Sequence, residues 1–176
     1  QYTPEKGWDE NKLDMFRRHI IQLGNSGVYV IYDELEGKEA VTWSYLLHTV
    51  ELPMEMKELP NEVQVTGKNK AGGVSVAHLF SSAKTEQAIA DTFFCAPTNW
   101  KNVTNAQGKA LKYPNHWHFS STTVPCKVAR FLTVMDTHGN NRPDMKVVRN
   151  GNTVQVGDWV INCNLAEKGK AAITVT

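Results

Sequence analysis

Asn115-His116-Trp117-His118 is the segment whose residue types and spacing could do chemistry most directly. In an extended strand His116 and His118 project to one face about 7 Å apart, a separation at which two imidazoles can meet one metal ion. Two ligands do not make a site. No carboxylate follows at close spacing, and a third ligand would have to arrive from His78, His138 or Asp136. No metal is therefore assigned to this chain; His116 and His118 stand as the candidate pair, weighed against hydrogen-bonded histidines on a wet face. Asp33-Glu34 invites general acid–base chemistry, but neighbours on a strand point to opposite faces and cannot flank one scissile bond. The expected arrangement is one carboxylate buried against Arg17, Arg18 or Arg130, or against backbone donors, with the other in solvent. His48 could act as a base, against the simpler reading of a satisfied histidine at a sheet margin.

Aromatic side chains offer a second kind of site. Sugar rings stack on Trp and Tyr through their C–H groups, and Trp100, Tyr113 and Trp117 fall in or just after a long irregular stretch, 95–114. They are the candidate carbohydrate contacts, against packing in a core or interface. The glycine-rich, basic run 67–73 lacks the spacing and the following helix of a phosphate-binding loop, and no nucleophile elbow is present.

Bulk properties narrow the classes. The 176 residues carry a net charge of +1, with 41% hydrophobic and 21% charged residues, as an ordinary globular domain does. No global field favours nucleic acid or an anionic membrane, and no apolar run is long enough to span a bilayer. Cys95, Cys126 and Cys163 cannot all pair within one chain; a Cys126–Cys163 bridge is conceivable, and buried thiols are the commoner state. The chain opens at Gln1 with no initiator Met and no signal peptide, and is expected to be a fragment of a longer protein.

The elements that must position these groups read as strands. Val28, Val30 and Tyr32 alternate with Tyr29, Ile31 and Asp33; Val41, Trp43, Tyr45 and Leu47 then share one face of a following strand. Residues 35–39 between them predict a hairpin loop, so 17–49 reads as a three-stranded meander. Further strands are predicted at 62–66, 74–80, 88–94, 116–124, 127–137, 145–149, 153–156, 159–164 and 171–175, with Asn150-Gly151-Asn152 a strong hairpin turn. Residues 84–90 could form a helical turn. About ten or eleven short strands without a substantial helix predict an all-β chain, a two-sheet antiparallel β-sandwich forming one domain over 1–176.

Within this frame, Arg18-His19-Ile20-Ile21, Val28-Tyr29-Val30-Ile31-Tyr32-Asp33-Glu34-Leu35-Glu36 and Val41-Thr42-Trp43-Ser44-Tyr45-Leu46-Leu47-His48 resemble the C-terminal β region of heparinase II/III-like polysaccharide lyases. Trp117-His118-Phe119 and Arg130-Phe131-Leu132-Thr133-Val134 are also similar to it. The likeness is good over 13–50, patchy to 137 and weak beyond. It implies a parent enzyme with an (α/α) toroid and β-sandwich domains that cleaves uronic-acid-containing polysaccharides by β-elimination, in the periplasm or outside the cell. The family's catalytic Tyr lies in the toroid, and its catalytic and metal-binding histidines lie in the preceding β region, in a motif of the form Asn-His-x-His-x-Asp. Asn115-His116-Trp117-His118 looks like that motif, but Ser120 stands where Asp is needed, and the segment follows Asp33-Glu34-Leu35 instead of preceding it.

The resemblance therefore carries no catalytic residue onto this chain. It implies a non-catalytic accessory domain that needs no cofactor of its own, any divalent metal being held outside it. Its partners would be the toroid and preceding β region of its parent, with acidic polysaccharide as a further partner. The alternative is an autonomous carbohydrate-binding β-sandwich module; a metalloenzyme using His116 and His118 is the third reading.

Overall fold

The computed structural model describes residues 2–3, 7–8, 13–50, 52–91, 104–109, 116–139, 141–166 and 169–176. Among them there is no helix. The strands, in order, are β1 (Tyr2–Thr3), β2 (Gly7–Trp8), β3 (Leu13–Gln22), β4 (Val28–Val41), β5 (Ser44–Val50), β6 (Glu55–Leu59), β7 (Glu62–Lys68) and β8 (Val74–Ser81). They continue with β9 (Thr85–Ala90), β10 (His116–Thr123), β11 (Cys126–His138), β12 (Val147–Asn150), β13 (Thr153–Val156), β14 (Trp159–Cys163) and β15 (Ile173–Val175). Every pairing is antiparallel.

The all-β expectation holds, but the strands fall into more than two sheets. A six-stranded sheet has the order β3-β4-β11-β8-β7-β6, a three-stranded sheet β5-β10-β9, and a four-stranded meander β12-β13-β14-β15; β1 and β2 form a separate pair. The six-stranded sheet is central because its two faces enter different cores. Val28, Val30, Tyr32, Phe80, Leu132 and Val134 pack against Val154, Val156 and Ile161 of the meander. Alternate residues Leu35, Ala77, Leu79, Ala129 and Phe131 pack against Tyr45 and Phe119 of the three-stranded sheet and against Trp43 just before it. A strand covered on both faces needs no polar side, and Ala129 to Val134 are buried without interruption.

The two sheets that share the second core are joined by a common corner. Strands β4, β11 and β8 are neighbours in the central sheet, and β5, β10 and β9 are neighbours in the same order in the small one. Each pair is linked by two or three residues at one edge: 42–43, 124–125 and 82–84. Sheets commonly turn corners by letting strands bend from one layer to the next. Here the bend is hydrogen-bonded: Trp43 N donates to Thr123 Oγ1 (3.0 Å), and Thr123 N donates to Trp43 O (2.9 Å). The Trp43 indole donates to Cys126 O (3.1 Å), Arg130 N to Ser82 Oγ (2.9 Å), and Val124 N to Lys84 O (3.1 Å).

This corner corrects three local readings. Residues 35–39 do not form a hairpin: β4 runs through them for 14 residues, with an irregular register opposite Val128 and Cys126, and the chain turns at Thr42 instead. The third strand of the supposed meander therefore pairs with β10, not β4. Residues 85–90 are a strand rather than a helical turn, because pairing with β10 outweighs the weak local helix preference of Glu86-Gln87-Ala88. Cys126 and Cys163 are free and belong to opposite faces of the central sheet, so they do not bridge. Where the turn chemistry was strongest, the expectation holds: Asn150 pairs with Thr153 across Gly151, whose φ of 60° is readily available only to residues tolerant of the left-handed region.

Candidate functional site

Strand alternation divides β10 into two faces. Phe119, Ser121 and Thr123 are buried toward the central sheet, and Trp117 packs, half-buried, on the same core. His116 and His118 occupy the alternate positions and face outward. His118 lies directly opposite His48 of β5, and His116 opposite Val50. The His48 and His118 rings stand 6.2 Å apart, centroid to centroid, tilted by 42°. The fold thus adds His48, from a strand 70 positions earlier in the chain, to the pair predicted from sequence. Burial first, then the neighbouring His118 and His116, lowers the pKa of His48 from its ordinary value. Both causes oppose charging of His48.

Neutral imidazoles are what a transition metal needs, yet among the described residues no group of three or more His, Cys, Asp or Glu is placed to hold a metal ion. The other proposed third ligands are committed elsewhere. His78 sits on β8 with Nδ1 3.3 Å from Glu62 Oε1. Asp136 is fully buried and accepts two hydrogen bonds from Arg142 and one from Met145 N (2.7 Å). His138 has Nδ1 at 2.6 Å from Gly139 O and Nε2 at 2.9 Å from Asp144 Oδ1. An acceptor on each ring nitrogen calls for two N–H donors, so the geometry selects the imidazolium. The pKa of His138 rises accordingly, led by the Gly139 carbonyl.

The acidic pair is bound more fully than the sequence suggests. Asp33 and Glu34 are both buried, at 2% and 5% exposure. They point to opposite faces, as alternation requires. Arg18, on the neighbouring edge strand, grips Asp33 through Nε (2.6 Å) and Nη2 (2.7 Å), with its guanidinium carbon 5.7 Å from the Tyr45 ring centre. The Asp33 bond leads the upward shift of the Arg18 pKa. Glu34 Oε1 meets His19 Nε2 at 2.7 Å, and its other oxygen lies 3.8 Å from Arg17 Nη1. The expectation of one solvated carboxylate is corrected: the sheet buries both and supplies each with its own cation or imidazole from β3. Arg130, the third arginine considered, instead donates to the carbonyls of Asn164 (3.2 Å), Ala166 (2.5 Å) and Gly169 (2.6 Å). Tyr32 Oη donates to the same Asn164 carbonyl at 2.6 Å, and burial pushes its pKa up to about 12. These two side chains fasten the four-stranded meander to the central sheet.

Of the three aromatic candidates, Trp117 faces the inner core, on the side of β10 opposite the histidines. Trp100 and Tyr113 lie outside the described residues. What sequence reasoning missed is a polar interior near the corner: Ser121 and Thr123 continue the inward face of Trp117 and Phe119, and are 0% and 3% exposed. The legible signal was a switch from aromatic to hydroxyl residues along one face of the segment His116–Thr123. No protein-family model matches the sequence, and no curated protein matches it.

Proposed function

We propose that this chain is a non-catalytic C-terminal β domain of a heparinase II/III-like polysaccharide lyase, supporting a β-elimination centre held elsewhere in the parent protein. The observation that carries the reading is the position of the resembling residues. Arg18, His19, Asp33, Glu34, Trp43 and Arg130 all fall in the resembling segments, and each is spent on holding sheets together: ion pairs between β3 and β4, the corner, or the meander. Chemistry that removes a proton α to a uronate carboxyl needs a positioned base and a group to stabilise the growing charge, free to meet substrate. Buried groups already locked to one another serve architecture instead.

A docking surface supports the same reading. Phe16 and Ile20, on the uncovered edge strand β3, are 60% and 66% exposed and share one face. Exposed apolar side chains flanking the Arg18 cation suit packing against another part of a larger enzyme. In this proposal the parent acts in the periplasm or outside the cell, its divalent metal lies outside this chain, and its substrate is an acidic polysaccharide. The test compares residues 1–176 with the product of the complete reading frame on uronic-acid polysaccharides, following the ultraviolet absorbance of the unsaturated product. Activity in the complete product alone supports the proposal; activity in neither, or in the isolated chain, contradicts it.

A further inference from the structure

Where β9 and β10 approach the corner, the space between the small and central sheets changes character. Toward the His116 end it is filled by Trp117, Phe119 and Ile89. Toward the corner the inward positions of the same two strands are Ser121, Gln87 and Thr85, and the space opens into a cleft of about 390 Å³. Turning hydroxyl and amide groups into an inter-sheet space costs stability unless they are satisfied. Here they are satisfied only in part by one another. Gln87 Nε2 donates to Thr85 Oγ1 at 2.6 Å and to Ser121 Oγ at a long 3.4 Å. That use of the amide nitrogen leaves Gln87 Oε1 to accept toward the cleft, while the fully buried Ser121 holds the amide in place from behind.

Val63 gives the cleft a small apolar floor, with Leu79 buried beneath it. Its charged lining is balanced: Glu58 and Glu62 against Lys84 and Arg149. Glu62 is engaged with His78, and Arg149 donates to Gly151 O at 2.9 Å while lying 5.4 Å from the Phe80 ring centre. Asn61 and Arg149 also line an adjoining cleft of about 200 Å³, so the groove continues past the β6–β7 turn. A space of this size, with a few convergent polar groups over an apolar floor, has the form of a small-molecule site.

We infer that this groove binds a neutral polyhydroxylated ligand, one or two pyranose units of a saccharide, through Gln87 and Thr85, with Ser121 positioning the Gln87 amide. The ring's C–H face lies on Val63, and its hydroxyls exchange donors and acceptors with the Gln87 amide and the Thr85 hydroxyl. Balanced rim charge gives no advantage to an anionic sugar. The site goes beyond the lyase reading and holds whether or not that reading does.

The test is backbone-amide and saturation-transfer NMR on the full chain. The neutral probes are the methyl glycosides of glucose, galactose and mannose, N-acetylglucosamine and myo-inositol; glucuronate and glucose 6-phosphate are the charged probes. The expected result is that at least one neutral probe shifts the amides of 81–87 and 121. Affinity for that probe then falls about tenfold in Gln87→Leu, through loss of buried hydrogen bonds, and is unchanged in His118→Ala on the outer face. Ser121→Ala gives a second, smaller truncation should Gln87→Leu fail to fold. Silence of those amides to every neutral probe, equal binding in a folded Gln87→Leu or Ser121→Ala variant, or tighter binding of the charged probes overturns the inference.

Discussion

Arg18 holds Asp33 with two parallel hydrogen bonds, of 2.6 and 2.7 Å, from an edge strand to a carboxylate that is 2% exposed. The bidentate geometry ties β3 to β4 beside Tyr45 of the three-stranded sheet. Removing one partner of a buried pair leaves the other charge without compensation, which costs more than the pair itself contributes. Arg18→Met is therefore expected to lower unfolding free energy by about 2–4 kcal/mol, the lower part of that range reflecting the partial exposure of Arg18. Asp33→Asn, which leaves no buried charge, is expected to cost less. Combining the two should recover part of the loss, and a double-mutant cycle by denaturant unfolding measures the coupling.

Arg130 makes a different kind of contact, three bonds to backbone carbonyls of the segment before β15. Arg130→Ala is expected to cost about 3 kcal/mol, since bonds from a charged donor to buried acceptors are among the stronger ones. Tyr32→Phe removes a single bond to Asn164 O and is expected to cost about 1 kcal/mol. Hydrogen exchange should show Arg130→Ala releasing β14 and β15 while β4 and β11 stay protected. Uniform loss of protection would contradict the fastening role.

His48 should titrate below the ordinary imidazole value in a proton NMR titration, because burial and the imidazoles of His118 and His116 oppose its charging. His118→Ala is expected to raise its midpoint. A histidine whose folded pKa is depressed resists protonation that the unfolded chain accepts. Its effect is therefore absent above the unfolded pKa of about 6.5, and it removes stability as pH falls below that value.

His138 works in the opposite sense. Its two acceptors raise its folded pKa, so its contribution is complete below the unfolded value and fades as pH rises through the folded one. Beside it, the pKa of Asp136 is lowered: burial opposes the charge, but the Arg142 and Met145 bonds outweigh it. That contribution is present above the unfolded value and is lost in acid. His138→Gln is expected to flatten the fall in stability as pH rises above the unfolded imidazole value, and Arg142→Ala to weaken stability most above the carboxylate range, both measured by thermal unfolding across pH.

Local patterning made most strands legible. Alternation at 28–33 and 41–48 located β4 and β5, and Asn150-Gly151 located the β12–β13 hairpin through its backbone preference. The number of sheets was not legible, because alternation reports which side of a strand is buried and not what covers it. The clue was Ala129 to Val134, buried throughout, which needs cover on both faces. Gly37 suggested a turn, but a glycine in a strand can equally mark an irregular register, as it does opposite β3 and β11. At the candidate site, His116 and His118 shared a face as their spacing required; that His48 joins them follows only from a long-range strand pairing.

The most direct measurement of the supporting role is β-elimination by the complete reading frame carrying Arg18→Met, His118→Ala or neither, on uronic-acid polysaccharides at a temperature where each variant remains folded. The expected result is turnover in the complete product, none from residues 1–176 alone, and a kcat unchanged by either substitution while Arg18→Met lowers the melting temperature. Turnover by the isolated chain that His118→Ala abolishes would contradict the account.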